Sequence, residues 1–210
     1  MSTKINAKIA FFGATGGCVN ASLIRSLLAR YDVPCDNVED VKRTLALDGE
    51  LVSIIISGVA DDQLSRNLLH TALLNALRAI YTENPSTATS KPLFAFVSTT
   101  GISNGPEDVP FWFRFLYRVL VAVPGADKRK METGTSERFL RGIIDVRASL
   151  LTGGIDYRAG KGRKTLRVGT DDKPAVGHMI PRSDVGEWIF EEVVKKDGPE
   201  WAGKIVTLTS

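Results

Sequence analysis

Gly13, Gly16 and Gly17 stand in the run Phe12-Gly13-Ala14-Thr15-Gly16-Gly17-Cys18, directly after the apolar segment Ile9 to Phe12. Glycines spaced this way can hold an anion. Gly13 permits a tight turn, and Gly16 and Gly17 leave the backbone bare so that a phosphate can approach. Beyond them Leu23, Ile24, Leu27 and Leu28 recur at helical spacing and mark an amphipathic helix. Its free N–H groups and the positive end of its dipole would face a pyrophosphate. Strand, glycines and helix in that order are the context in which the motif means dinucleotide binding; the alternative is a purely structural strand–turn–helix.

Hydroxyls form the second candidate group. In open parallel sheets ligands lie beyond the carboxyl ends of the strands. The residues there are Ser57-Gly58, Ser98-Thr99-Thr100-Gly101 and Arg147-Ala148-Ser149. Ser98 and its neighbours could bond a nicotinamide or a substrate carbonyl, or simply cap the next turn. Lys128, near the start of a helical pattern, could orient a ribose and lower the pKa of a nearby proton donor. With Arg129 and Lys130 beside it, the competing reading is a solvated charged face. Tyr157 and Lys161 have a Tyr-x-x-x-Lys spacing that works only on a helix, yet they lie among four glycines between 153 and 162, so the match is read as coincidence. Cys18 would sit in the first helical turn, where a thiolate could be stabilised, although a small residue that merely fits is the commoner case. The two cysteines and two histidines supply no disulfide framework, no metal set and no Ser-His-Asp arrangement.

The elements that must position these groups alternate. Strands are expected at 8–12, 51–57, 93–98, 143–147 and 205–209. Helices are expected at 18–30, 38–45, 62–81, 109–123, 126–140 and 183–195, with loops at 84–91 and 153–162. Apolar strands alternating with amphipathic helices mean a parallel sheet covered on both faces, an α/β fold in one domain spanning 1–210. The net charge of +3 is scattered, which argues against a nucleic-acid partner. With no leader before Lys4 and no apolar run near the ~18–20 residues of a membrane span, a cytoplasmic protein without membrane contact is expected. The segment 111–123 is apolar nearly all round and is expected to roof a substrate cleft; membrane docking or a homodimer contact are lesser readings.

One stretch is too short. A nucleotide-binding half needs a second strand, a helix and a third strand before Leu51, but Tyr31 to Glu50 is about 20 residues where one βαβ unit takes roughly 30. Either the natural chain is shortened here, or a segment is missing from the numbered chain between Val33 and Asp36. The second is the expectation, and successive Cα atoms there would then lie well beyond ~3.8 Å. The loss would remove the residues that choose between the two nicotinamide cofactors. The segment 132–137 breaks an expected helix and raises the same question.

At this point the chain resembles an atypical short-chain dehydrogenase/reductase of the NmrA-like, NAD(P)-binding group, in particular its fungal members. The resemblance covers nearly the whole chain. It is carried by Phe12-Gly-Ala-Thr-Gly-Gly17 with Cys18-Val-Asn20, by Val97-Ser-Thr-Thr-Gly-Ile102, and by Asp108-Val-Pro110. Further carriers are Val123-Pro124 through Asp127-Lys-Arg-Lys-Met-Glu132, Val146-Arg-Ala-Ser-Leu-Leu-Thr152 and Arg182-Ser-Asp-Val185. It implies a Rossmann-like doubly wound parallel sheet with a small C-terminal substrate-binding part, about 150–182 and the last helix. It also implies NADP(H) more often than NAD(H), and frequent loss of the catalytic tyrosine. By position, Gly13, Ala14, Thr15, Gly16, Gly17 and Cys18 would hold the pyrophosphate. Ser57 and Gly58 would lie near the adenosine side, Ser98 and Thr99 near the nicotinamide, and Lys128 near its ribose. Arg147, Ala148 and Ser149 would flank the nicotinamide on the far side. Val19 replaces the third glycine of the fingerprint, which suggests looser helix–strand packing with phosphate binding intact. Ala148 stands where many relatives carry proline.

The function expected is reduction of a small carbonyl, enone or quinone-type substrate, aromatic or apolar, by hydride transfer from NADPH. Ser98 and Lys128 are the catalytic candidates. The alternative is an inactive dinucleotide sensor that reports redox state to a protein partner.

Overall fold

The computed structural model describes residues 7–13, 16–28, 42, 45–47, 50–58, 63–100, 110 and 138–210. The apolar runs read from the sequence become the strands β1 (Ile9–Phe12), β4 (Ile54–Ser57), β5 (Leu93–Thr99), β6 (Gly142–Ala148) and β10 (Ile205–Thr209). Between them lie β2 (Ala46–Leu47), β3 (Glu50–Leu51), β7 (Leu150–Thr152), β8 (Arg167–Thr170) and β9 (Met179–Pro181). The helices are α1 (Gly17–Leu28), α2 (Gln63–Glu83) and α3 (Arg182–Trp188).

One six-stranded sheet runs in the order β1-β4-β5-β6-β10-β8. Its first five strands are parallel, and β8 closes the far edge antiparallel to β10. Parallel strands buried on both faces need apolar residues at every position. All four residues of β1 and of β4 are accordingly buried. Alternation splits their side chains between two cores. Ile9, Phe11, Ile54, Ile56, Ala95, Val97, Ile144, Val146 and Leu208 pack with Val19 of α1 and with Val185 and Trp188 of α3. Ala10, Phe12, Ile55 and Phe94 pack with Leu73, Ala76, Leu77 and Ile80 of α2. Helices therefore cover both faces, and the fold is a Rossmann-like doubly wound α/β sheet. The glycine run, β4, β5 and β6 all end at the same edge, where a ligand of such a sheet lies.

Several boundaries move. The strand expected at 51–57 begins only at Ile54, because Glu50 and Leu51 pair antiparallel with Ala46 and Leu47 in a small hairpin. A 3₁₀ turn, Pro85–Thr89, occupies the loop at 84–91. The last helix is α-helical only to Trp188, then widens into a π-helical turn over Ile189–Val194. Nearly all of the helices expected at 109–123, 38–45 and 126–140, the proposed break between Val33 and Asp36 and the segment 132–137 lie outside the described residues. Among the described residues no strand pairs with the outer edge of β1.

Candidate functional site

The glycine run sits at the end of β1. Gly13 has φ +68°, a left-handed conformation that favours glycine, and turns the chain so that Gly16 N–H donates to Gly13 O at 3.0 Å. Asn20 N–H then donates to Gly16 O at 2.8 Å, the first bonds of α1. A Cβ on Gly16 would come within 3.3 Å of Gly13 O and 3.7 Å of Gly58 O. Gly58, at the end of β4, donates its N–H to Phe12 O at 2.9 Å. Gly13, Gly16 and Gly58 thus bring backbone close to backbone at the N-terminus of α1, with the Val19 side chain packed against Gly58. The first-turn backbone N–H groups of α1 and the positive end of its dipole are of the kind that suits a pyrophosphate.

Val19 corrects the expectation of loose packing. Its side chain is fully buried, and a Cβ added to Gly58 would collide with its Cγ2 and lie 3.0 Å from its Cβ. The glycine missing from the helix is made up by a glycine on the neighbouring strand, so helix and sheet still close tightly. Cys18 lies in the first turn of α1 with its thiol buried. Burial pushes the thiol pKa up to about 12, against the opposing pull of the Arg182 charge, so Cys18 fills space and stays protonated.

A strap, residues 153–163, crosses beside the cleft. It has no helix, so Tyr157 and Lys161 cannot share a face as a catalytic pair would. Tyr157 instead stacks under the Arg25 guanidinium at 5.4 Å and donates nothing to Lys161, while Arg25 Nη2 donates to Tyr157 O at 2.7 Å. Asp184 is buried at the start of α3 and accepts Lys161 N–H at 3.1 Å and Gly162 N–H at 3.2 Å. Arg163 Nη2 donates to the buried Glu192 carboxylate at 2.7 Å. Arg182 closes the assembly. Its stem lies across Gly17, whose Cβ would meet Arg182 Cβ at 3.3 Å and Gly154 O at 3.1 Å, and its Nη1 donates to Gly153 O at 2.6 Å.

Of the residues singled out at the strand ends, Ser57 and Ser98 are buried and Thr99 half-buried. Ser98 is register partner to Arg147, and Thr99 to Ala148. Arg147 Nε donates to Asp145 Oδ2 at 2.9 Å, a buried pair on one face of β6. Ser149 Oγ donates to Thr209 Oγ1 at 3.0 Å, which turns that hydroxyl toward β10. Gly13, Gly16, Gly17, Cys18, Gly58, Ser57, Ser98, Thr99, Arg147, Ala148 and Ser149 therefore come together along one sheet edge. Ala14, Thr15 and Lys128 lie outside the described residues. His70 stacks on Phe94 with ring centroids 6.2 Å apart, a packing contact on the α2 side of the sheet. Sequence reasoning assigned no role to Arg25, Asp184 or Glu192. Asp184 could have been suspected, because an acid in the first turn of a helix next to a glycine-rich loop is a natural acceptor for loop N–H groups.

No family model matches the chain. Two curated proteins do. The "Oxidase pynE" of Aspergillus niger is 35% identical over 274 residues, covering 96% of this chain and 98% of that protein. The "Reductase pytE" of Aspergillus terreus is 33% identical over 256 residues, covering 96% and 97%. Both alignments are longer than this chain of 210 residues, and both proteins are covered nearly end to end. The relatives therefore carry internal residues that have no counterpart here. Among solved structures, a short-chain dehydrogenase/reductase from Veillonella parvula in complex with NADP superposes with a TM-score of 0.62, at 12% identity, over 96% of this chain and 94% of its own. That likeness establishes the fold.

Proposed function

We propose, because the chain belongs to the family of the Aspergillus oxidase pynE and reductase pytE, that it is an oxidoreductase that binds a nicotinamide dinucleotide and reduces a small carbonyl, enone or quinone-type substrate. The observation that carries this reading is the tight glycine turn, Gly13 at φ +68° with Gly16 and Gly58 packed backbone to backbone, that leads from β1 into the N-terminus of α1. Gly13 to Cys18, with Ala14 and Thr15 at the loop tip, hold the pyrophosphate. Ser57 and Gly58 lie on the adenosine side, and Ser98 and Thr99 face the nicotinamide across from Arg147, Ala148 and Ser149. When bound, the dinucleotide supplies the hydride, and the protein's part is binding and orientation. Ser98 bonds the acceptor oxygen, and Lys128 is assigned to the ribose.

Substrate is placed against the C-terminal part, 150–182. There Leu150 and Met179 are register partners across β7 and β9, and both are exposed large apolar side chains, which suits an aromatic or apolar ligand. NADP(H) is preferred over NAD(H) in this reading because of the NmrA-like motifs quoted above. A second reading, an inactive dinucleotide sensor, is favoured by one observation: Tyr157 is engaged by Arg25 and Arg158 and forms no acid pair with Lys161.

Titration of the purified protein with NADPH and NADH, then a screen of quinones, enones and aldehydes for cofactor oxidation, tests the proposal. Binding with turnover is expected, with Ser98→Ala lowering turnover. Binding without turnover on any acceptor would favour the sensor. Failure to bind either dinucleotide would overturn both readings.

A further inference from the structure

The strap is fixed at its feet and loose between them. Leu151 before it and Leu166 after it pack against the core that α1 and α3 share. None of residues 153–163 is buried, and Ile155, the one aliphatic side chain larger than alanine among them, is 68% exposed. Among the described residues no backbone–backbone hydrogen bond joins 154–161 to another element. The segment bonds to itself instead. Ala159 N–H donates to Asp156 O at 3.2 Å, and Arg158 N–H donates to Asp156 Oδ1 at 2.9 Å. A unit that contributes nothing to the core can leave its place without opening the core, at a free energy below that of global unfolding.

Two glycines bracket that unit. Gly153 and Gly162 have φ +76° and +78°, and a Cβ on either would touch nothing within 4 Å. Backbone conformation rather than packing favours glycine there, and such residues can absorb the dihedral change of a hinge. The ends are tied down: Arg182 Nη1 donates to Gly153 O at 2.6 Å, and Arg163 Nη2 donates to Glu192 Oε1 at 2.7 Å. From the neighbouring helices only two side chains hold the part between. Arg25 of α1 donates to Tyr157 O at 2.7 Å, and the buried Asp184 of α3 accepts Lys161 N–H on Oδ2 and Gly162 N–H on Oδ1. A Cβ on Gly160 would run into Asp184 Oδ1 and lie 2.9 Å from Ser183 Oγ, so the strap seats on that carboxylate only with bare backbone at 160. Seated, it lies against α1, where Gly154 O would be 3.1 Å from a Cβ on Gly17.

We propose that residues 154–161 are a gate that swings as a unit about Gly153 and Gly162, with the Asp184 carboxylate as its catch. Seated, the gate covers the side of the first turn of α1; open, it uncovers it. The gate is a property of the protein alone and goes beyond the dinucleotide reading, because no ligand is needed to open it.

The test is native-state trypsin digestion of the ligand-free protein, with cleavage after Arg158 and Lys161 followed by mass spectrometry. Rates are taken across urea concentrations below the unfolding transition and corrected for trypsin activity on a small peptide. Cleavage tracks the open population, and an opening that exposes little surface responds weakly to urea. Wild type should therefore be cut in the strap at a rate nearly flat in urea. Asp184→Asn, which gives up one acceptor oxygen, and Gly160→Ala, which blocks the seat, should each be cut at least about 10-fold faster, as for loss of a hydrogen bond to a charged group. Circular dichroism confirms that each variant is folded, and if neither folds the wild-type urea dependence decides. A wild-type rate that climbs as steeply as global unfolding, or equal rates in wild type and a folded variant, overturns the gate. No dinucleotide is present, so the result is independent of the dinucleotide reading.

Discussion

Gly58 and Val19 are one packing decision shared by two elements. A methyl on Gly58 has no space, because Val19 Cγ2 already occupies it. Gly58→Ala should therefore destabilise the protein by about 1–3 kcal/mol, the usual range for overpacking a filled core. Adding Val19→Ala should recover much of that loss, giving a coupling above ~0.5 kcal/mol in a double-mutant cycle followed by urea denaturation. Additive effects would show that the two positions do not share the space. The glycine run itself was legible, since its conformational demand is written in residue type. Its compensation by Gly58 was not, because the register of β1 against β4 decides which glycine meets Val19. Arg182 was quoted only as part of a motif, and its place beside Gly17 follows from the packing of α3 on α1.

At the scale of elements, the strap has no regular structure and is fixed by side chains from α1, α3 and the π-helical turn. Asp184→Ala would strand the N–H groups of Lys161 and Gly162, and should cost about 1.5–3 kcal/mol of stability. Glu192 adds a pH dependence. Burial alone would raise its pKa, but hydrogen bonds from Lys196 and Arg163 and the Lys196 charge outweigh this and hold the carboxyl below its ordinary 4.5. A carboxylate depressed on folding stabilises the protein above the unfolded pKa and loses that contribution as pH falls through the folded value. Thermal melts should therefore drop below about pH 4.5, and Glu192→Gln should show a shallower acid limb. An unchanged acid limb would remove Glu192 from the account. The parallel strands were legible because burial on both faces writes an unbroken apolar run. The three-residue strands β7 and β9 were not, since ladders so short have no period to detect, and the π-helical turn has no sequence signature.

For the whole molecule, the sheet as described stops at β1, on the side where the stretch from Tyr31 to Glu50 is too short for two further strands. An exposed parallel edge leaves backbone groups unpaired and open to exchange or association. Amide hydrogen exchange in β1 should therefore be faster than in β5, which is paired on both sides. Equal protection would mean that another segment, or a second copy, covers that edge. At the opposite end of the chain, the strap divides covalent order from spatial order. Everything after it (β8, α3 and β10) is woven into the fold, with β10 between β6 and β8, and Trp188 buried in the same core as Val19. Arg158, Lys161 and Arg163 stand exposed in the strap, so trypsin meets its substrates there before it meets any strand. A molecule cut once at that point should still elute as a single species while separating into two bands under denaturing electrophoresis. The two pieces, made apart, then become a split protein whose reassembly is driven by the insertion of one strand into a sheet.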